Sequence, residues 1–259
     1  RAPDALAALA SALEQDPAVM YADPVRRVVA QATPNDPLFG IQWSLTDPVA
    51  GVNASAAWDV QRGSGGITVA VIDTGTVAHP DLAGRVLPGY DFVTDPDAAR
   101  DGDGRDANPH DEGDWAGDNE CGDGVPGFDS FFHGLFVSGL IGASTDNGIG
   151  IAGMDWAASI LPVRALARCG GTNADVFEGM LWASGVQIAG VPANQHPARV
   201  INMSLGGWGA CSSAVQEAID DALAQGAVVV VSAGNASIDV ESFSPANCGG
   251  VITVGATGN

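Results

Sequence analysis

The chain is predicted to fold as an α/β domain of three layers, a mostly parallel central sheet with helices on both faces. Two observations carry that prediction. Short β-branched runs alternate with segments of helical periodicity, and a strand buried on both faces reads as a continuous apolar run. Glycine is also in excess, 35 of 259 residues, about double the usual ~7%. The glycines cluster beside the apolar runs, where tight turns join strands to helices. With 46% apolar residues the chain can bury a sizeable core.

The elements follow in order. Residues 3–15 read as a short helix, with Pro3 at its start, then Ala5, Leu6, Leu9 and Leu13 and no breaker. The stretch DPAVMYADPVRRVVAQATPNDPLF (16–39) is extended and punctuated by proline, and reads as a peptide lying along another surface. Strands are predicted at ITVAVID (67–73), VLPGYDF (86–92), ASILPVRAL (158–166), RVINMS (199–204), GAVVVVSA (226–233) and GVITVGA (250–256). Helical periodicity follows His133, covers 173–190 and returns at 212–226. In such sheets functional residues gather at the carboxyl ends of the strands.

Charge narrows the function. Ten arginines and no lysine stand against 31 acidic residues, a net charge of −21. That balance argues against nucleic acid or an anionic membrane surface as partner. No apolar run approaches the ~18 residues of a membrane span. Cys121, Cys169, Cys211 and Cys248 lack the close pairing of a zinc site. An even count at wide spacing suits two disulfides formed in an oxidising compartment, with three pairings open. The chain opens at Arg1 without a methionine or an apolar leader, as after processing or a cut.

Between Asp91 and Asp129 eleven aspartates and two glutamates face only Arg100 and Arg105. Within it, DGDGRDANPHD places Asp101, Asp103 and Asp106 at short spacing among glycines, like the first half of an EF-hand loop without its final glutamate. Carboxylates packed so densely repel one another unless a cation neutralises them, so a structural Ca2+ is expected there.

Three blocks stand at strand or helix ends. VAVIDTG ends a strand with Asp73, HGLFVSGLIGA opens a helix with His133, and VVVVSAGN ends a strand with Asn235. An aspartate and a histidine so placed can pair, the carboxylate fixing the tautomer and stabilising the imidazolium. Asn235 can aim its amide at a developing oxyanion. His79, His110 and His196 are expected to be structural.

Taken in order, these blocks resemble the subtilisin-like serine proteases (subtilases, peptidase family S8) of the secreted bacterial kind. VAVIDTG followed by HPDL (79–82) is similar to the family's catalytic-aspartate block. DNGIGIAGM (146–154) is similar to a turn that often binds calcium, which adds Asp81 and Asn147 to the calcium-ligand set. INMSLGG (201–207) resembles the segment that pairs with substrate backbone, through Ser204, Leu205 and Gly206, and SAGN (232–235) resembles the oxyanion-hole block. The resemblance implies a secreted serine endopeptidase made as a zymogen, with a peptide or protein as substrate, acting as a monomer. Residues 1–32 would be the tail of an inhibitory propeptide, with VRRVVAQA (25–32) in the cleft, and residues 33–259 the catalytic domain. It further implies the pairs Cys121–Cys169 and Cys211–Cys248.

Two departures qualify it. The family's Gly-Thr-Ser-Met-Ala-x-Pro nucleophile block does not occur between Arg1 and Asn259, so this polypeptide is expected to be a fragment without useful peptidase activity. Leu135 and Phe136 replace the third and fourth residues of the family's His-Gly-Thr-His, and a ring at position i+3 faces the imidazole. Crowding there would disfavour the protonated form, whereas compensated packing would leave catalysis intact. The rival reading is a non-catalytic, calcium-stabilised binding protein with a subtilase body.

Overall fold

Burial on both sides of the central strands sets the architecture. In the computed structural model, which describes residues 3–23 and 33–258, the chain divides into two units, Arg1–Ala32 and Thr33–Asn259. The first contains α1 (Pro3–Leu13), whose Leu6, Leu9 and Leu13 are all exposed. The expected product-like peptide at 25–32 lies outside the described residues.

The second unit runs α2 (Trp43–Thr46), α3 (Ala54–Trp58), β1 (Thr68–Asp73), β2 (Tyr90–Asp91), α4 (Pro96–Ala99) and α5 (His133–Gly142). It continues with β3 (Ser159–Arg164), α6 (Asn173–Ser184), β4 (Val200–Met203), β5 (Gly207–Trp208) and α7 (Ser213–Ala224). Strands β6 (Val228–Ser232), β7 (Phe243–Ser244) and β8 (Ile252–Val254) complete it. The main sheet has the order β2-β3-β1-β4-β6-β8, every pair parallel, while β5 and β7 form a small antiparallel pair. All six predicted strands are present. No helix among the described residues is long and apolar enough to cross a membrane.

Side-chain alternation along β1 produces the layers. Ala70 and Ile72 join Met180 and Trp182 of α6 and Ile219 of α7 in one core. Val69 and Val71 point the other way, into a second core with Val137 of α5 and Ile160 of β3. Each fully buried aliphatic side chain contributes about 1.5–3 kcal/mol, so neither face of β1 can turn to water. Helix α6 stops six residues short of the predicted 190, because Gly185 takes φ +103° and turns the chain left-handed. Its start is capped by Thr172, whose hydroxyl accepts the Asp175 amide at 3.1 Å.

The acidic stretch is neutralised from within. Arg164, at the end of β3 and 1% exposed, donates from Nη1 to Asp91 at 2.5 Å and to Asp101 at 2.7 Å, and from Nη2 to the Ala99 carbonyl. Burial pushes the Asp91 carboxyl up to about 7, against the pull of the Val93 amide and of Arg164. Arg105 similarly binds Asp175 at 2.7 Å and also Glu178.

The residues expected to ligate calcium also make contacts within the protein. Asp101 already faces a guanidinium, Asp103 is exposed, and Asp106 accepts the Asn108 amide at 2.8 Å. The second set is occupied too. Asp81 accepts the Asn147 side-chain amide and the Ile151 backbone amide, both at 2.9 Å, and the Asn147 oxygen accepts the Ile149 amide at 2.8 Å. In both sets carboxylate oxygens accept N–H donors from within the protein.

Two measurements check this arrangement. Arg164→Met leaves a buried carboxylate unpaired and is expected to cost about 3–5 kcal/mol in urea denaturation. Millimolar calcium is expected to raise the melting temperature; an unchanged value would remove the calcium assignment.

Candidate active site

Strand β1 ends by delivering Asp73 into the protein. Its carboxylate has no exposed surface and accepts the Thr74 amide at 2.8 Å. The next turn needs Gly75, at φ +97°, where a Cβ would lie 2.4 Å from the Pro109 carbonyl oxygen. Helix α5 starts against that turn. A Cβ on Gly134 would fall 2.2 Å from the Gly75 carbonyl oxygen and 3.2 Å from the Asp73 Cβ. Only glycine lets the helix come this close, and closeness puts His133 on Asp73. The preceding residue, Phe132, takes a left-handed φ of +48° to turn the chain into the helix.

His133 Nδ1 meets both oxygens of Asp73, at 2.8 and 2.9 Å. The bond from Nδ1–H to the carboxylate leaves Nε2 as the free basic nitrogen. The hydrogen bond to Asp73 raises the pKa of His133, burial opposes it, and the charges of Asp73 and Asp114 add to the rise. The protonated imidazole is therefore favoured. The Phe136 side chain is exposed and lines a neighbouring groove with Leu38, His79 and Leu82, in keeping with compensated packing beside His133.

A second tier fixes the first. Thr74 Oγ1 donates to Asp111 at 2.6 Å and accepts the Gly134 amide at 3.0 Å, so the α5 N-terminus is tied to the end of β1. Asp111 is buried, and burial raises its pKa. Sequence reading passed over Thr74 and Asp111. Thr74 sits inside the quoted VAVIDTG block, but Asp111 was one acid among many, and only its burial sets it apart.

The other predicted residues stand at neighbouring strand ends. Ser204, Leu205 and Gly206 follow β4 and line a cleft of about 470 Å³ with Leu166, Gly170, Phe177 and Pro245. Ser204 Oγ accepts the Asn202 side-chain amide at 3.0 Å. Asn235 lies just past β6, exposed, and its side chain makes no hydrogen bond among the described residues. His133 opens instead onto an adjoining recess with Thr74, Asp114, Phe128 and Phe131. Leu166, Cys169 and Gly170 line both spaces, so one strap of chain separates them. Cys121–Cys169 pins that strap and Cys211–Cys248 closes the second bridge, the pairing the resemblance implies. His79 is structural, its Nδ1 accepting the Asp81 amide at 3.2 Å. Among the described residues, no group of three or more His, Cys, Asp or Glu side chains is placed to hold a metal.

Comparison with known proteins agrees with this geometry. The Subtilase family model matches residues 64–259. An extracellular protease of Xanthomonas campestris pv. campestris is 48% identical over 95% of the chain and 42% of its own length. An extracellular basic protease of Dichelobacter nodosus is 44% identical, over 95% of the chain and 41% of its own length. The chain thus spans about two fifths of these curated relatives. Among solved structures, a protease from Pseudoalteromonas arctica PAMC 21717 superposes with a TM-score of 0.83 and 46% identity, covering 86% of this chain and 65% of that one. With an aspartate–histidine couple held at the end of a parallel sheet and a family match over most of its length, the chain belongs to the subtilase family of serine proteases.

Proposed function

We propose that this chain supplies the acid–base half of a secreted serine endopeptidase that works by an Asp-His-Ser triad. The observation that carries the reading is the Asp73–His133 contact, with Nδ1 engaged and Nε2 left basic. In the proposal the nucleophilic serine belongs to a part of the whole protein outside Arg1–Asn259. Its hydroxyl proton passes to His133 Nε2 as its oxygen attacks the scissile carbonyl carbon. The imidazolium, stabilised by Asp73, then gives that proton to the departing amine nitrogen as the C–N bond breaks. Water repeats the sequence on the acyl-enzyme.

Asn235 is proposed to donate its side-chain amide to the oxyanion, which its unpartnered state leaves it free to do. Residues 204–206 are proposed to pair with the substrate backbone as an added strand. Residues 1–32 are read as the end of an inhibitory propeptide; the compartment is read as extracellular, in line with the relatives' names. No step is routed through calcium.

Labelling of the whole protein with a serine-directed phosphonate, alongside hydrolysis of casein, tests the reading. His133→Ala is expected to lower kcat by about 10⁶ and Asn235→Ala by about 10²–10³, magnitudes that come from subtilisin itself. Absence of both labelling and hydrolysis in the unaltered protein would instead favour a binding role.

The pH dependence has a fixed sign. A raised imidazole pKa means that general-base activity grows as pH rises through a value above the ordinary 6.5. The accompanying stabilisation is present below 6.5 and lost as pH climbs through the folded value. NMR titration of His133 in this chain is expected to show the elevated value, and Asp73→Asn to lower it.

A further inference from the structure

The recess that His133 faces, of about 460 Å³, has an uneven chemistry. Its walls are largely apolar: Phe128, Phe131, Leu166 and Ala167. Phe131 is 79% exposed and Phe128 42%, two rings with open faces beside the reacting imidazole. One carboxylate enters this lining. Asp114 Oδ1 accepts the Phe131 amide at 2.8 Å, which fixes the side chain, while Oδ2 takes no hydrogen bond or ion pair among the described residues. Arg100, whose charge interacts with that of Asp114, lies over the Trp115 ring at 3.6 Å and reaches Glu120 at 3.9 Å, forming no ion pair with Asp114.

An apolar slot with one oriented carboxylate fits a side chain that is aliphatic along its length and cationic at its tip. We infer that this recess is a specificity pocket for a basic side chain, arginine before lysine, of the polypeptide cut at His133. A planar guanidinium stacks on exposed aromatic faces and forms directed bonds to a carboxylate, which an ammonium does less well. The net charge of −21 draws cationic substrates from a distance, but only Asp114 and the two rings select within the recess. The inference rests on the peptidase reading above.

The test compares kcat/KM of the whole protein on quenched peptides differing only by arginine or its neutral isostere citrulline at each position near the cleaved bond. At one position arginine is expected to be preferred by roughly tenfold, as one charge-assisted hydrogen bond supplies. Asp114→Asn keeps the acceptor for the Phe131 amide and is expected to bring the arginine-to-citrulline ratio close to one. The ratio is the proper readout because Asp114 also acts on His133, which alters both rates alike. Phe131→Leu, a second variant, is expected to narrow the preference for arginine over lysine. Asp239→Asn, which alters an acid capping the Glu241 amide, is expected to leave the ratio in place. An arginine preference that survives Asp114→Asn, follows Asp239, or is absent from the unaltered protein overturns the inference alone. Failure to cut any peptide overturns the peptidase reading and the inference with it.

Discussion

The rest of the site depends on holding one carboxylate where water cannot reach it. Asp73 is fully buried, and a buried carboxylate is tolerated only when its lone pairs are taken by hydrogen bonds or an opposite charge. The Thr74 amide takes part of that demand and His133 takes the remainder. The histidine is thus required by the aspartate as much as the reverse. The contact that stabilises the fold locally also selects the tautomer that leaves Nε2 available.

That requirement propagates outward through backbone approach. Helix α5 can touch the end of β1 because Gly134 lacks a side chain against the Gly75 carbonyl, and the Asp111–Thr74–Gly134 chain of hydrogen bonds then locks its start. The same strand end, followed through β4 and β6, brings the 204–206 segment and Asn235 to one edge of the sheet. Parallel strands buried on both faces leave no other place for polar groups to converge.

Legibility in the sequence tracked the physical range of each interaction. Strands and helices were readable because burial on two faces writes itself as local periodicity, and the one long overestimate, α6, ended at a glycine whose positive φ the periodicity could not reveal. Asp73 and His133 were readable because their blocks carry local backbone demands. The pairing of Asp101 was illegible for the opposite reason. Asp101 looks uncompensated among its sequence neighbours, yet its partner Arg164 lies 63 residues away, beyond any local pattern. Asp111 and Asp114 escaped notice in the same way, since burial and an unused oxygen are properties of the folded arrangement.

The arginines explain why so acidic a chain can fold and yet keep charge to spare. With no lysine, each cation carries five donors, and several are spent inside. Arg164 joins Asp91, Asp101 and Ala99; Arg105 joins Asp175 and Glu178; Arg85 bonds the carbonyls of Gly142, Asp155 and Trp156. Cations consumed as internal cross-links cannot screen the surface. Apart from buried acids such as Asp73, Asp81 and Asp111, the remaining acids have little cationic compensation, and their field falls off over about 8–10 Å at ordinary ionic strength. Beside His133 in the same recess, the carboxylate of Asp114 acts in two ways at once, favouring the imidazolium and presenting an open oxygen to whatever enters. The neutralising economy of the interior and the anionic character of the cleft are two consequences of one composition.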